Sequence, residues 1–170
     1  MNLPEYIRDI PDFPREGILF RDITPLLLDP AAFDCAVSKM SEVSDVLKPD
    51  VIVGIESRGF MFGIPIAMNL GLAFVPARKE GKLPSQTVSA SYDLEYGGDT
   101  LEIHSDALSP GDRVLIVDDL IATGGTLKAC SELVEGLKAK VVGVTVLIDL
   151  VGIRDKDYFP NININSLIKY

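Results

Sequence analysis

The stretch Val114–Thr126, VLIVDDLIATGGT, carries the clearest indication of fold class in the sequence. It opens with four apolar residues, continues into the adjacent acids Asp118 and Asp119, and turns through the glycine-rich loop Thr123–Thr126. The apolar run is typical of a strand buried in a parallel sheet. Apolar residues at helical spacing follow the loop and predict a helix. A strand that leads through a short loop into a helix is the repeating unit of an α/β protein.

The rest of the chain continues this alternation of strands and helices. Asp29-Pro30 has the pattern of a helix N-cap followed by proline in the first helical position. Gly71 is placed to end a later helix, and the terminal segment 161–170 is expected to complete the sheet or cap the core. The predicted helices are 31–47, 60–70 and 126–137, and the predicted strands are 51–55, 72–78, 113–117 and 141–148.

The section between these units has a different pattern. Residues 86–95 alternate loosely, Gly97-Gly98 supplies a turn, and 100–104 runs back, which predicts a β-hairpin. We therefore expect one α/β domain over 1–170, with a mainly parallel central sheet flanked by helices. In such sheets ligands bind at the carboxyl ends of the strands, where the acid pair and its loop fall.

Composition limits the classes of function. The chain has 170 residues, 47% of them hydrophobic and 24% charged, and a formal net charge of −9. This charge argues against broad nucleic-acid binding, and no apolar run approaches the roughly 20 residues that span a membrane. We expect Cys35 and Cys130 to be packed thiols and not a disulfide, and the early acids and prolines differ from a signal peptide. Together these features favour the cytoplasm.

The acid pair and the glycine-rich loop can be interpreted in two ways. Asp118 and Asp119 could cap a turn or face water, and the loop could be an ordinary turn with Thr126 as the helix N-cap. Alternatively, the loop brings backbone amides to a helix N-terminus, which suits a phosphate. The acids could then accept hydrogen bonds from sugar hydroxyls. The combination favours a phosphosugar site over either feature alone.

The stretch VLIVDDLIATGGT closely resembles the 5-phosphoribosyl 1-pyrophosphate (PRPP) signature of type I phosphoribosyltransferases. The resemblance implies the fold of that family. It also implies that Asp118 and Asp119 hold the ribose hydroxyls of PRPP. The residues that would bind its 5′-phosphate are Ala122, Thr123, Gly124, Gly125 and Thr126.

The resemblance extends over nearly the whole chain and points to the members of the family that act on adenine. The segment 13–30, FPREGILFRDITPLLLDP, is similar to their base-binding hood, which would occupy 1–29. The segment 54–67, GIESRGFMFGIPIA, is similar to their pyrophosphate loop, and 76–84, PARKEGKLP, to their basic segment. The segment 91–108, SYDLEYGGDTLEIHSDAL, is similar to their mobile catalytic hairpin, here 80–105.

The resemblance assigns further roles to individual residues. Glu95 would be catalytic and would manage a proton of the base. Mg²⁺ would act through substrate oxygens, with no direct protein ligand assigned, and a homodimer is expected. The residues that would bind pyrophosphate are Glu56, Ser57, Arg58, Gly59, Arg78, Lys79 and Lys82, and those that would bind adenine are Leu19, Phe20, Arg21 and Leu120.

The implied reaction is adenine plus PRPP to AMP plus pyrophosphate, for purine salvage. Two alternatives remain at this level: another base such as xanthine, hypoxanthine or orotate, and a regulator that kept the PRPP site without catalysis. We interpret His104 as incidental, because no metal-ligand or nucleophile spacing surrounds it. Asp149 stands where the family pattern leads us to expect glutamate.

Overall fold

The N-terminal segment forms a small layer of its own. In the computed structural model, which describes residues 1–93, 98–155 and 162–170, a single 3₁₀ turn, Leu3–Tyr6, precedes strand β1 (Arg8–Pro11). β1 pairs in antiparallel fashion with β2 (Leu19–Asp22), and the short helix α1 (Thr24–Leu28) follows. Leu26 of α1 is fully buried, so this layer is anchored in the core.

Asp22 joins the strands of this layer to α1. Its Oδ1 accepts hydrogen bonds from the Thr24 amide at 2.9 Å and the Thr24 hydroxyl at 2.6 Å. Its Oδ2 accepts from Arg8 Nε at 2.9 Å and from the second guanidinium nitrogen at 2.6 Å. The Thr24 and Arg8 hydrogen bonds outweigh the effect of burial and lower the pKa of Asp22 to about 2. The carboxylate therefore stays ionised and holds the layer together at neutral pH.

The central sheet has seven strands among the described residues, in the order β5-β6-β4-β3-β7-β8-β9. Adjacent pairs from β4 through β9 along this order are parallel, whereas β6 pairs antiparallel with both β4 and β5. The sheet is therefore mainly parallel and is extended at one edge by the predicted hairpin. The strands are β3 (Val51–Ile55), β4 (Ala73–Lys79), β5 (Thr87–Asp93), β6 (Gly98–His104), β7 (Arg113–Ile121), β8 (Lys140–Asp149) and β9 (Ile164–Lys169).

Helices cover both faces of this sheet. Helices α2 (Pro30–Asp45) and α3 (Arg58–Leu70) pack with Ile52, Leu115 and Val117 in one buried cluster. Helix α4 (Gly125–Gly136) packs with the alternate residues of the same strands in a second cluster on the other face. Because successive side chains of a strand point to opposite faces, the apolar strands supply both cores. The expectation of an α/β fold with a flanked parallel sheet is confirmed.

The predicted elements are present, with shifted ends. Asp29 caps α2 as expected, since its Oδ1 accepts from the amides of Ala31 and Ala32, both at 3.0 Å. Helix α2 stops at Asp45 because the chain turns ahead of Lys48, which has a φ of 48°. Helix α3 begins two residues earlier than predicted. The terminal segment contributes β9, which completes the sheet.

The largest difference between the predicted and observed elements lies in the stretch Val114–Thr126. Strand β7 does not end before the acid pair but continues to Ile121, because it keeps its pairing with β8 as far as Ile121 opposite Asp149. The two aspartates therefore lie within a strand and not beyond it. The regular backbone of the sheet fixes their positions.

Two further expectations concern thiols and membranes. Cys35 and Cys130 are both free, as expected. Among the helices of the described ranges, we find none with the length and apolar character needed to span a membrane.

Candidate active site

A cleft opens at the carboxyl ends of β3 and β7, with a volume of about 500 Å³. Residues from six separate parts of the chain line it, as expected for a parallel sheet whose strand ends meet at one edge. The lining residues are Phe20, Ile55, Glu56, Ser57, Arg58, Lys79, Tyr92, Asp118, Asp119, Leu120 and Thr126.

The acid pair forms the floor of this cleft. Asp119 is 3% exposed, and its Oδ2 lies 3.0 Å from Arg58 Nε in an ion pair without the alignment of a hydrogen bond. That buried oxygen accepts no hydrogen bond from any described residue. Asp118 is partly buried, and its Oδ1 accepts the Asp119 amide at 2.8 Å. Asp119 Oδ2 is therefore ion-paired but accepts no hydrogen bond, and such a buried carboxylate oxygen is suited to accept one from a ligand hydroxyl.

Burial raises the pKa of both carboxyl groups. At Asp118 the neighbouring charge of Asp119 adds to this effect and raises the pKa well above its ordinary value. At Asp119 the Arg58 guanidinium acts in the opposite direction, without cancelling the effect of burial. The site thus holds two acids close together, and among the described residues Arg58 is the cation that pairs with Asp119.

The start of α3 forms the second wall. The Glu56–Ser57 peptide bond is cis, and Arg58 is the first residue of the helix. The next residue, Gly59, packs directly on β7: a Cβ there would lie 2.7 Å from the Val117 carbonyl oxygen and 3.0 Å from Asp118 Oδ1. Only glycine permits this approach, which explains the glycine after Arg58. The contact places Arg58 beside the acid pair.

The glycine-rich loop adjoins the cleft, and Thr126 is the one of its residues that lines it, whereas Ala122, Thr123, Gly124 and Gly125 do not. Gly124 has a φ of 98°, which favours glycine, and α4 begins at Gly125. Because the helix begins one residue earlier, Thr126 is inside it and is not its N-cap. No side chain caps the helix. The first amides of a helix have no intrahelical acceptor and suit an anion. The Thr123 carbonyl accepts the Asp155 amide at 3.0 Å, which ties the loop to the segment after β8.

The basic segment contributes one cation to the cleft. Arg78 is turned to Glu56: its Nε donates to Oε2 at 3.1 Å, and another guanidinium nitrogen donates to the Lys82 carbonyl at 3.2 Å. The Lys79 amide also donates to Glu56. Burial acts to raise the pKa of Glu56, but these hydrogen bonds outweigh it and the pKa is lowered. Lys79 lines the cleft, whereas Arg78, Lys82 and Gly59 do not.

The hairpin adds Tyr92 to the lining of the cleft and pairs it with Asp99, and neither residue was predicted from the sequence. Tyr92 and Asp99 face each other across β5 and β6, and the Tyr92 hydroxyl donates to Asp99 Oδ2 at 3.3 Å. Lys79 Nζ lies 2.8 Å from the same oxygen. Counting outward from the Gly97-Gly98 turn would have paired Asp99 with Tyr96 and not with Tyr92, and the approach of Asp99 to Lys79 depends on the pairing of β4 with β6.

The N-terminal layer closes the remaining side of the cleft. Phe20 lines the cleft from this layer and Leu120 from β7; the family resemblance assigns both to adenine binding. The Phe20 ring makes an edge contact with Phe13, with 5.1 Å between centroids, and the Arg58 guanidinium carbon lies 5.2 Å from its centre. Leu19 is 46% exposed and does not line the cleft.

Two further residues named from the sequence do not line the cleft, and a third lies outside the described residues. Arg21 pairs with Asp9 and stacks on the Tyr170 ring, with 3.6 Å to its centre. Asp149 is buried, and its Oδ2 accepts a hydrogen bond from Arg154 at 2.8 Å. Glu95, the predicted catalytic residue, lies outside the described residues.

The fold and this cleft define the class of the protein, an α/β protein with a ligand-sized cleft at the carboxyl edge of a parallel sheet, and comparison with known proteins identifies its family. The family model described as phosphoribosyl transferase domain matches residues 27–168. The adenine phosphoribosyltransferase of Carboxydothermus hydrogenoformans is 56% identical over 170 residues, which cover 100% of both chains. The Synechococcus enzyme of the same name is 52% identical, covering 100% of this chain and 99% of that one.

Solved structures give the same result. The crystal structure of adenine phosphoribosyltransferase from Thermoanaerobacter pseudethanolicus superimposes with a TM-score of 0.96 at 48% identity, covering 99% of this chain and 98% of that one. The Saccharomyces cerevisiae enzyme, solved with adenine and an imino-altritol bisphosphate, has a TM-score of 0.86 at 39% identity, covering 98% and 95%.

The chain belongs to the phosphoribosyl transferase family and has its type I fold. Within that family its full-length relatives place it among the adenine phosphoribosyltransferases, which are glycosyltransferase-type enzymes.

Proposed function

We propose that the cleft carries out the reaction of these relatives, in which adenine and PRPP give AMP and pyrophosphate for purine salvage. This proposal rests on one observation: a single motif offers both acceptors for sugar hydroxyls and amides for a phosphate. The buried acids of β7 have an oxygen free to accept a hydrogen bond, and the uncapped start of α4 follows within a few residues. One ligand that bears both vicinal hydroxyls and a phosphate satisfies both halves.

The ribose and its 5′-phosphate would occupy the β7–α4 side. Asp118 and Asp119 would accept hydrogen bonds from the 2′- and 3′-hydroxyls. The phosphate would be held by backbone amides of Ala122–Thr126 and by the hydroxyls of Thr123 and Thr126. Amides at a helix N-terminus and a glycine with positive φ are the usual means of holding a phosphate closely.

The pyrophosphate would occupy the opposite wall. Ser57, Arg58 and Lys79 already line the cleft there, and Arg58 is 33% exposed beside the acid pair. Glu56 would act through Arg78, since it binds that guanidinium, and Gly59 would act by letting α3 approach β7. Cations on this wall compensate the charge that develops on the leaving group. We also assign Lys82 to this wall, from the family resemblance.

The oxygen-rich lining of the cleft fits a Mg²⁺ ion that is bound mainly by the substrates. No cluster of three or more ligand side chains occurs within 1–93, 98–155 and 162–170, and the acids that line the cleft are hard oxygen donors. A Mg²⁺ ion takes near-octahedral oxygen ligands and keeps several of its waters, so pyrophosphate and ribose oxygens would hold it. When bound, it would neutralise charge on the leaving group.

The base would lie between Phe20 and Leu120, which line the cleft from the N-terminal layer and from β7. Leu19 and Arg21, whose side chains are directed elsewhere, would contribute main-chain groups, a mode of recognition that leaves no side-chain pattern. Glu95 would manage the proton of the base as the new bond to the anomeric carbon forms. Segment 1–29 would then be the hood and 80–105 the catalytic hairpin of a single domain.

The chain would act as a homodimer in the cytoplasm. Helix α3 presents Met61, Ile64 and Met68 at a spacing of three and four residues, and these side chains are 42%, 45% and 77% exposed. Three large apolar side chains on one exposed helix face fit burial against a second copy better than contact with water.

The test is to incubate the protein with PRPP and Mg²⁺ and with adenine, hypoxanthine, xanthine or orotate in turn, and to measure pyrophosphate release. We expect release with adenine alone. Release with another base and not with adenine would overturn the choice of substrate. Binding of PRPP without release for any base would support the regulator instead.

A further inference from the structure

The cation that lines the pyrophosphate wall is paired with a carboxylate of the hairpin. Lys79 is the last residue of β4, and its Nζ lies 2.8 Å from Asp99 Oδ2. The side chain of Lys79 is 55% exposed and that of Asp99 is 22% exposed. The lysine can therefore reach solvent and the cleft, whereas the aspartate is held in place.

The hairpin fixes the position of Asp99. Its Oδ1 accepts the Thr100 amide at 2.9 Å, and its Oδ2 accepts the Tyr92 hydroxyl at 3.3 Å as well as Lys79. Tyr92 and Thr126 both line the cleft. Polar contacts thus connect Tyr92 through Asp99 to Lys79 of the basic segment.

Both members of the ion pair are held in their charged forms. The hydrogen bond to Asp99 is the main cause that raises the pKa of Lys79, and the same bond is the main cause that lowers the pKa of Asp99. A full negative charge therefore sits on the wall where pyrophosphate would bring its own. An anion that binds Lys79 must compete with Asp99 and is repelled by it.

We propose that Asp99 is a positioning residue. Its carboxylate is a counter-anion that holds Lys79 until pyrophosphate takes the place of that carboxylate. The inference rests on the proposed function, because it assigns Lys79 to the leaving group. Asp99 lowers the affinity of the site for pyrophosphate and so favours release of that product. Asp99 keeps Lys79 at the cleft and at the same time prevents the lysine from binding the product anion too tightly.

The test is the variant Asp99→Asn, which removes the charge and keeps the size and an oxygen that can accept the Tyr92 hydroxyl. The affinity for pyrophosphate in the presence of Mg²⁺ is measured by titration calorimetry on the full chain. We expect binding about two- to fivefold tighter than in the wild type, the scale of a partly exposed ion pair, with a gain that shrinks as salt is added. In steady state, kcat and the KM for PRPP should both fall.

Two controls separate this effect from a general change in charge or structure. Asp106→Asn removes the same charge beyond the far end of β6 and should leave pyrophosphate affinity unchanged. Lys79→Met should weaken binding, and adding Asp99→Asn to it should then tighten binding much less than in the wild type, because only the direct repulsion by Asp99 is removed and the ion pair no longer exists.

The outcomes distinguish the two proposals. Unchanged or weaker pyrophosphate binding in Asp99→Asn, with wild-type binding and turnover intact, would overturn the role of Asp99 and leave the proposed function standing. A wild-type protein that neither binds pyrophosphate nor releases it from PRPP would contradict the proposed function. Equal tightening by Asp99→Asn with and without Lys79 would also overturn the inference, since the lysine would then not be the group released.

Discussion

At the scale of the residue, the site works against the stability of the fold. Asp118 and Asp119 are adjacent acids in a buried strand, with Arg58 as the described cation against them. Two carboxylates taken from water cost free energy unless they are paired and hydrogen-bonded. The folded protein therefore disfavours the charges that the proposed ribose site requires. The hydroxyls of a bound sugar would supply the missing hydrogen bonds.

The change Asp118→Asn tests this cost. We expect the ligand-free variant to be more stable than the wild type at pH 7, by about 1–3 kcal/mol, the usual cost of a buried polar group that lacks its hydrogen bonds. A carboxyl whose pKa is raised by folding contributes stability below its unfolded value, near 4, and loses it as pH rises through the folded value. The gain should therefore shrink towards pH 4. Urea unfolding across this range measures it.

PRPP binding provides the second readout for this variant. The introduced carboxamide would still accept the Asp119 amide but would no longer offer a charged acceptor, so we expect PRPP affinity to fall while stability rises. Asp119→Asn is the comparison, and its gain should be smaller because it leaves Arg58 without an anionic partner. An Asp118→Asn protein that is no more stable at pH 7 than the wild type would contradict the argument.

At the scale of the element, the contact between α3 and β7 sets the geometry of the cleft. Helix α3 begins at Arg58 and rests on Val117 and Asp118 through the backbone of Gly59. The approach is close because no side chain intervenes. The position of Arg58 relative to the acid pair therefore depends on Gly59, a residue that has no reactive side chain.

The change Gly59→Ala should separate these two elements. Its Cβ would meet the Val117 carbonyl oxygen at 2.7 Å, and a backbone neighbour cannot move as a flexible side chain can. We expect a loss of about 1–3 kcal/mol in the free energy of unfolding, and weaker PRPP binding, because overpacking forces backbone shifts. Denaturant unfolding and calorimetric PRPP titration check the two effects.

Gly136→Ala is the matched control for this change. Gly136 is the last residue of α4, and a Cβ there would meet nothing within 4 Å. Alanine has the higher helix propensity, so this variant should be as stable as the wild type or slightly more so. If Gly59→Ala behaved like Gly136→Ala, the packing of α3 on β7 would not be the constraint that we describe.

The same elements show what a sequence can and cannot specify. Helical spacing and turn residues predicted α2, α3 and α4, since these patterns are local. The extension of β7 to Ile121 was missed because it depends on pairing with β8, which is distant in sequence. Likewise Phe20, Asp118 and Thr126 were named from motifs. Tyr92 reaches the cleft and Asp99 reaches Lys79 only because β5 pairs with β6 and β6 pairs with β4.

At the scale of the whole molecule, α3 has two different faces. Phe62 and Ile66 are fully buried against the sheet, whereas Met61, Ile64 and Met68 remain exposed in the single chain. The helix that carries Arg58 would therefore be fixed from both sides if a second copy covered its outer face. In that case dimer formation and the geometry of the pyrophosphate wall would be linked.

The changes Ile64→Glu and Met68→Glu test this link. A buried glutamate opposite its own symmetry mate is unfavourable, so we expect the double variant to sediment as a monomer at micromolar concentration, where the wild type sediments as a dimer. We also expect a lower kcat with an unchanged circular dichroism spectrum. Val46→Glu, at an exposed apolar position at the end of α2, is the control and should remain dimeric. A wild type that sediments as a monomer would contradict the proposed homodimer. A double variant that stays dimeric would place the interface elsewhere, and a fully active monomer would show that the site is complete within one chain.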